Sequence, residues 1–183
     1  GEYDKMDALI NEIIKYSREF LDKIKSYETR ILSYSARSKF DEAIDTGMEF
    51  LKQVGIKLPK NPSMMNIGVS FILTKLSLLG EGIEYFSNMP EMKDPHKLAT
   101  GRIISILLSV AYFSKPLLLP ILVLKMLRIL SKYGNTHNSP MIYVVYGLIL
   151  CDLGLIDEGY KFGQLAFTIV KKMGLKSPIF NHL

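Results

Sequence analysis

An all-α fold is predicted, an irregular solenoid of about seven antiparallel helices that forms a single domain over the 183 residues. Three observations predict it. Apolar residues recur in steps of three and four along nearly the whole chain, the spacing of one helix face. Glycines and prolines fall at intervals of a helix length, and the turns between them are mostly two to eight residues, short enough to make neighbours antiparallel. No strand-like alternation bounded by hairpin turns competes.

The elements follow in order. Residues 4–36 carry Met6, Leu9, Ile10, Ile13, Ile14, Phe20, Leu21, Ile24, Tyr27, Ile31 and Tyr34 at helical spacing and read as one long first helix. Ser38-Lys39-Phe40 is a short break, and 41–54 is a second helix that Gly55 caps. Lys57-Leu58-Pro59-Lys60-Asn61-Pro62 is extended, because two prolines block helix there. A third helix runs from about 63 to 87, loosened around Gly80 and Gly82. Asp94 is placed to cap a fourth helix with Pro95 in its first turn, reaching about Phe113. A fifth runs from Pro116 to Tyr133-Gly134. A sixth starts at Asn138-Ser139-Pro140 by the same cap-then-proline chemistry and ends at Leu153-Gly154. A seventh spans 157–173, stopped by Gly174 and Pro178.

Composition narrows the function classes. The chain is 48% hydrophobic and 22% charged, too many charges for a membrane bundle and too apolar for disorder. The most membrane-like stretch, 103–124, is broken by Ser114-Lys115-Pro116, and neither half reaches the roughly 20 apolar residues of a span. Two buried helices meeting at a proline-started turn are expected, and no membrane span. One cysteine, Cys151, excludes an internal disulfide framework; it lies on an apolar helix and reads as inert core. The acidic, polar start is unlike a signal peptide, so a cytoplasmic location is expected. A leading Gly1 in place of methionine reads as a cut end, and the chain as a piece of something longer.

The net charge of +5 is unevenly placed. Residues 1–60 hold 11 acids and 11 bases, 61–100 four and three, and 101–183 three acids and nine bases, so the excess lies in the second half. Those bases are dispersed, and 18 of the chain's 23 are lysine rather than the arginine that suits bidentate phosphate contacts. Nucleic acid is therefore a minor option beside a solvated surface. His96, His137 and His182 lie too far apart in sequence for a Cys/His zinc cluster. No glycine-rich phosphate loop, nucleophile elbow or His-Glu-x-x-His motif occurs, so no catalytic, cofactor or metal residue is assigned. Asp41-Glu42 and Asp157-Glu158 each open a helix, where acids favour the dipole's positive end, and need no acid–base role. Met64-Met65, Met89 and Met92 are read as gap-fillers before an adaptable contact surface.

A repeat is visible. Asp41-Glu42-Ala43-Ile44-Asp45-Thr46-Gly47 aligns with Asp157-Glu158-Gly159-Tyr160-Lys161-Phe162-Gly163. Gly55-Ile56-Lys57-Leu58-Pro59 likewise aligns with Gly174-Leu175-Lys176-Ser177-Pro178. Each phrase follows another helix across a turn of about three residues. This is the helix–turn–helix unit of a tetratricopeptide repeat, in which small residues let paired helices approach and large ones fill the seam to the next unit. Tyr143, Tyr146-Gly147, Leu150, Gly159, Phe162 and Ala166 fit the second unit well. In the first, Tyr27, Tyr34, Ala43 and Gly47 agree, but Arg30-Ile31 replaces the large–small pair. The expected units are 20–59 and 138–178, with an irregular helical middle over 63–133.

The same residues carry a family resemblance. Ala43-Ile44, Leu51, Val54-Gly55-Ile56-Lys57-Leu58-Pro59, Met89-Pro90, Asp94-Pro95, Ala111-Tyr112 and Ser131-Lys132-Tyr133-Gly134-Asn135 occur in order. Ser139-Pro140, Tyr143, Tyr146-Gly147, Gly159-Tyr160, Gly163 and Ala166 continue them. Over roughly 27–175 the chain resembles the tetratricopeptide-like helical middle of multidomain bacterial signalling proteins. In those, a Ser/Thr-kinase-like domain and a STAND-type ATPase precede the repeats, and GAF and histidine-kinase modules follow. The resemblance implies a non-catalytic sensing and interaction module whose partner is a protein, either another domain of the parent chain or a signalling partner. An inducer-binding pocket between helices is the alternative, with Tyr112, Tyr143 or Tyr146 as rigid contacts. Self-association through the long first helix is a third expectation.

Overall fold

The computed structural model describes residues 2–17 and 20–174, and these are all-α. The helices are α1 (Glu2–Tyr16), α2 (Phe20–Ala36), α3 (Phe40–Gln53), α4 (Met64–Ser77), α5 (Ile83–Asn88), α6 (Pro95–Ser114), α7 (Leu118–Tyr133), α8 (Ser139–Asp152) and α9 (Ile156–Lys172). Among the described residues there is no strand, and an isolated parallel bridge joins Glu91 to Asn135. The expected stop over 175–178 lies outside the described residues.

Among the described residues nine helices stand where about seven were expected, because two predicted helices are split. The long first helix is the pair α1 and α2. A straight helix over 4–36 would leave half its apolar stripe with no partner; folding back lets α1 bury Ile10 against the array. Arg37 then reaches Asp7 at 3.1 Å and Arg30 reaches Asn11 at 2.6 Å. The third helix ends at Ser77 and resumes at Ile83, with Gly80 at φ +86 between.

Six helices form three hairpins, α2–α3, α6–α7 and α8–α9, each closed by a three-residue turn. The outer two turns are built alike. The offset that aligns Asp41 with Asp157 also aligns Ser38 (φ 58) with Gly154 (φ 79). The amide of Lys39 donates to Tyr34 O at 2.8 Å, and that of Leu155 donates to Leu150 O at 2.9 Å. This is the bond that closes a helix through a left-handed residue. The middle turn contains Pro116, which has no amide to donate, and closes instead through Leu118 N to Lys115 O at 2.8 Å.

The hairpins are in contact in chain order: α6 packs on both α2 and α3, and α8 on α7. α4 lies along α7, and α5 against α9. A continuous core runs from Ile24, Tyr27 and Ile31 through Leu107 and Leu127 to Tyr143, Leu150 and Ile169. The stretch 103–124 is two helices broken at 115–117, as its sequence predicts. Among the described residues one helix, Pro95–Ser114, is long and apolar enough to cross a membrane, and half of that window is buried inside the fold.

Local chemistry matches prediction at one proline-started helix and departs from it at the other. Asp94 accepts from the amides of His96 at 2.8 Å and Lys97 at 3.2 Å, capping α6. Asn138 does not cap α8. Its φ and ψ of −91° and −6° are helical, so its side chain turns away and donates to Ser105 Oγ at 3.0 Å. Cys151 is exposed rather than core. Its Sγ lies against Gly159 of α9, beside the close crossing of α8 and α9 at Gly147 and Gly159, at the surface edge of that contact.

Candidate functional site

α6 buries Ile103, Ile104, Leu107, Leu108 and Ala111 against its neighbours. It turns Arg102, Ser105, Ile106, Ser109 and Phe113 to the opposite side, where α2 stands across from it. Glu28, Leu32 and Ser35 of α2 form the facing wall of a groove of about 660 Å³, with Phe40 and Asn138 at its margins. The polar end is fixed: Arg102 Nε donates to Glu28 Oε1 at 2.7 Å, beside the Asn138–Ser105 hydrogen bond. At the other end Phe40 stacks on Phe113, ring centroids 6.1 Å apart. Between the ends the lining is largely apolar.

The groove continues past Ser109 and Phe113 into a second hollow of about 290 Å³ between α6 and α8, lined by Tyr112, Leu119, Met141 and Val145. Leu32, Tyr112, Phe113 and Met141 are all exposed, Phe113 by 72% and Tyr112 by 68%. The first helices of all three hairpins thus present one apolar surface. Apolar concavities with a few fixed polar groups are the usual form of a binding site.

Of the three tyrosines singled out from sequence, the structure places Tyr112 in this surface and the other two in the core. Tyr143 is fully buried against Phe86 and Phe162, and its hydroxyl donates to Asn135 Oδ1 at 2.6 Å. Tyr146 meets Phe162 edge-on at 4.7 Å. A ligand would have to displace packed aromatics to reach either ring. Of the small repeat positions, Ala43, Gly47, Gly147, Gly159 and Ala166 are buried, and Gly163 is exposed with nothing near it. Leu32, Ile106 and Phe113 carry no distinguishing mark in the sequence. α6 is apolar nearly all round, so periodicity does not separate its groove face from its core face.

Among the described residues no group of three or more His, Cys, Asp or Glu is arranged to hold a metal. The perturbed groups are three structural tyrosines, whose pKa values are raised, and Lys125 and Arg128 of α7, whose pKa values burial lowers. Burial, then the hydrogen bond and charge of Glu49, push Tyr27 up to about 12. Burial, then the charge of Glu158, push Tyr146 up to about 12, and burial raises Tyr143. Unfolded tyrosines ionise near pH 10, so above that pH the unfolded chain has shed protons that the folded chain retains. The tyrosines' contribution to stability is therefore fully present below about pH 10 and is lost as pH rises through about 12. A melting temperature that falls as pH rises from about 10.5 to 12 is expected, with Tyr146→Phe reducing the slope.

No family model matches the chain, and no solved structure matches it. Among curated proteins it is similar to the "Hybrid signal transduction histidine kinase G" of Dictyostelium discoideum, 24% identical over 196 aligned positions that cover 94% of this chain. The chain spans 6% of that relative's length. The likeness links the chain to signalling proteins. It is to a histidine kinase by name, and that name mentions none of the ATPase, GAF or Ser/Thr-kinase-like parts that the ordered phrases imply.

Proposed function

We propose that this chain is a non-catalytic sensing and interaction module of a larger cytoplasmic signalling protein. In this reading α2–α3, α6–α7 and α8–α9 stack as tetratricopeptide-like units, with α4 and α5 inserted between the first and second. The groove on α2, α6 and α8 takes an apolar segment from a partner or from a neighbouring domain of the parent, and α6, which touches the first hairpin and the second, relays occupancy along the array. The observation that carries this reading is the exposed apolar surface formed by the first helix of every hairpin. The matched turns at Ser38 and Gly154 and the signalling relative support it. The kinase or nucleotide-switch chemistry then resides elsewhere in the parent.

The test is peptide selection against the folded chain, followed by titration into the chain and its Phe113→Glu variant. Selected peptides are expected to be amphipathic helices whose affinity falls at least tenfold in the variant. Peptides that bind both proteins equally would place the interaction elsewhere and sink the reading.

One observation favours a small-molecule inducer as the second reading. The groove's volume lies within the few hundred to about 1,000 Å³ of ligand sites, and its Arg102–Glu28 end is polar and fixed. At a concentration about 100 times Kd a ligand adds roughly 2.7 kcal/mol, a rise in melting temperature of about 5–11 °C for a chain of this size. A shift of that size with one class in a panel of nucleotides, sugars, amino acids and cyclic dinucleotides, absent in Ile106→Trp, would favour this reading over the first.

A further inference from the structure

α4 is apolar on both sides, yet only one side is covered. Its inner face lies on α7: Phe71 and Leu78 pack on the core, and buried Thr74 reaches Leu124 O at 3.4 Å. The outer face and the turn after it leave Met64, Met65, Val69, Ile72, Leu73, Leu76 and Leu79 between 49% and 81% exposed. A helix that is hydrophobic all round is normally buried all round.

The spacing of the outer residues is more specific than their hydrophobicity. Met65, Val69, Ile72, Leu76 and Leu79 follow steps of four, three, four and three, the period of a coiled-coil seam. The stripe reads almost the same in both directions from Ile72, with members three and seven residues before it and four and seven after it. An antiparallel copy can therefore lay the stripe on itself about a two-fold axis, the self-complementary arrangement of a closed dimer. Nothing electrostatic opposes this pairing. The one charged residue over 63–80 is Lys75, and Glu158 of α9 already holds it. Gly68 stands exposed on the same helix, and a Cβ there would touch nothing within 4 Å. A mid-helix glycine costs roughly 1 kcal/mol against alanine, and it suits the close approach of a second backbone.

The area is sufficient. Seven large side chains at this exposure present on the order of 800 Å², what each partner brings to a standard interface and more than a typical monomer leaves uncovered. A helix lying on a lipid surface would instead carry lysines or arginines along its polar margin, and α4 has none available. We infer that α4 is a self-association surface, on which a second copy of this chain docks antiparallel through Met65, Val69, Ile72, Leu76 and Leu79. The inference differs from the expected self-association through the first helix, which is the two helices α1 and α2.

Sedimentation velocity of the chain over about 1–200 μM tests this. The chain is expected to pass from monomer to dimer with concentration. Ile72→Glu with Leu76→Glu should weaken dimerisation at least tenfold, and Leu148→Glu, exposed on α8, should leave it intact. Circular dichroism of each variant verifies the fold. Independently, Ile72→Cys in a Cys151→Ser background should give an oxidised covalent dimer, and Leu148→Cys in that background should give none. A monomer throughout with no cross-link would overturn the inference, as would a dimer indifferent to the double substitution. Co-sedimentation with phosphatidylcholine–phosphatidylglycerol vesicles that the double substitution abolishes, from a protein that stays monomeric, would overturn it in favour of a lipid surface.

Discussion

Gly159→Ala will lower the stability of the chain by about 2–3 kcal/mol, a melting temperature lower by roughly 4–12 °C, whereas Gly163→Ala will raise it. Both glycines sit within α9, four residues apart, and both fill small positions of the repeat pattern. Their surroundings differ. A Cβ at Gly159 would stand 2.6 Å from Gly147 O and 2.5 Å from Cys151 Sγ. The sulfur can swing away, but the carbonyl belongs to α8 and moves only if the two helices part. That separation would open the packing of Phe162 on Tyr143 and Tyr146. At Gly163 a Cβ meets nothing within 4 Å, so alanine gains helix propensity worth about 0.5–1 kcal/mol. Gly47→Ala should fall between them, because its Cβ would meet Cδ2, Cδ1 and Cγ of buried Leu107 at 2.5, 2.6 and 2.8 Å, a side chain that must shift rather than a backbone carbonyl. Thermal unfolding of the three variants checks the order. Equal losses at Gly159 and Gly163 would show that the close crossing of α8 and α9 does not set the cost.

The same pair shows what the sequence could reveal. Gly147 and Gly159 are legible because close backbone approach favours glycine, and the small positions of the repeat pattern mark both. Asp94-Pro95 is legible because capping chemistry is local. The long first helix expected from sequence is two, because periodicity reports a face and not continuity: α1 and α2 each present an apolar side, and their concatenation has the same period as one helix. The Asn138 cap failed for a tertiary reason, since Ser105 on α6 takes the side chain that a local rule assigns to its own helix. The candidate groove was the least legible feature. Its residues come from three hairpins, and on α6 and α8 the apolar pattern is too continuous to show which side meets solvent. Tyr112, Tyr143 and Tyr146 look alike in sequence, and only the packing of Phe86 and Phe162 separates the surface ring from the buried two.

Asn135→Leu will destabilise the chain by roughly 2–5 kcal/mol, through hydrogen bonds that no other residue can replace. Asn135 is buried in the turn between α7 and α8 and binds on four sides. Its side-chain amide donates to Phe86 O at 2.8 Å, and its side-chain oxygen accepts from Tyr143 at 2.6 Å. Its backbone amide donates to Pro90 O at 2.8 Å, and its carbonyl accepts from Met92 N at 2.7 Å. Gly134 just before it must be glycine, because at φ +108 a Cβ would stand 2.3 Å from Pro90 O. Together these contacts strap 89–92 to the start of α8 and set α5 on α9. Leucine keeps the branching and the two backbone bonds but leaves Phe86 O and the Tyr143 hydroxyl buried and unpaired, at about 1–3 kcal/mol each. Tyr143→Phe removes one partner only and should cost less. In the double variant that hydroxyl is gone, so the combined loss should fall short of the sum of the single losses by roughly 0.5–3 kcal/mol. Denaturant unfolding of the cycle measures this coupling, and hydrogen exchange at the Met92 and Asn135 amides shows where it acts. Simple additivity would mean that the Asn135–Tyr143 bond contributes nothing net, and that filling the space around Phe86 is what holds the strap.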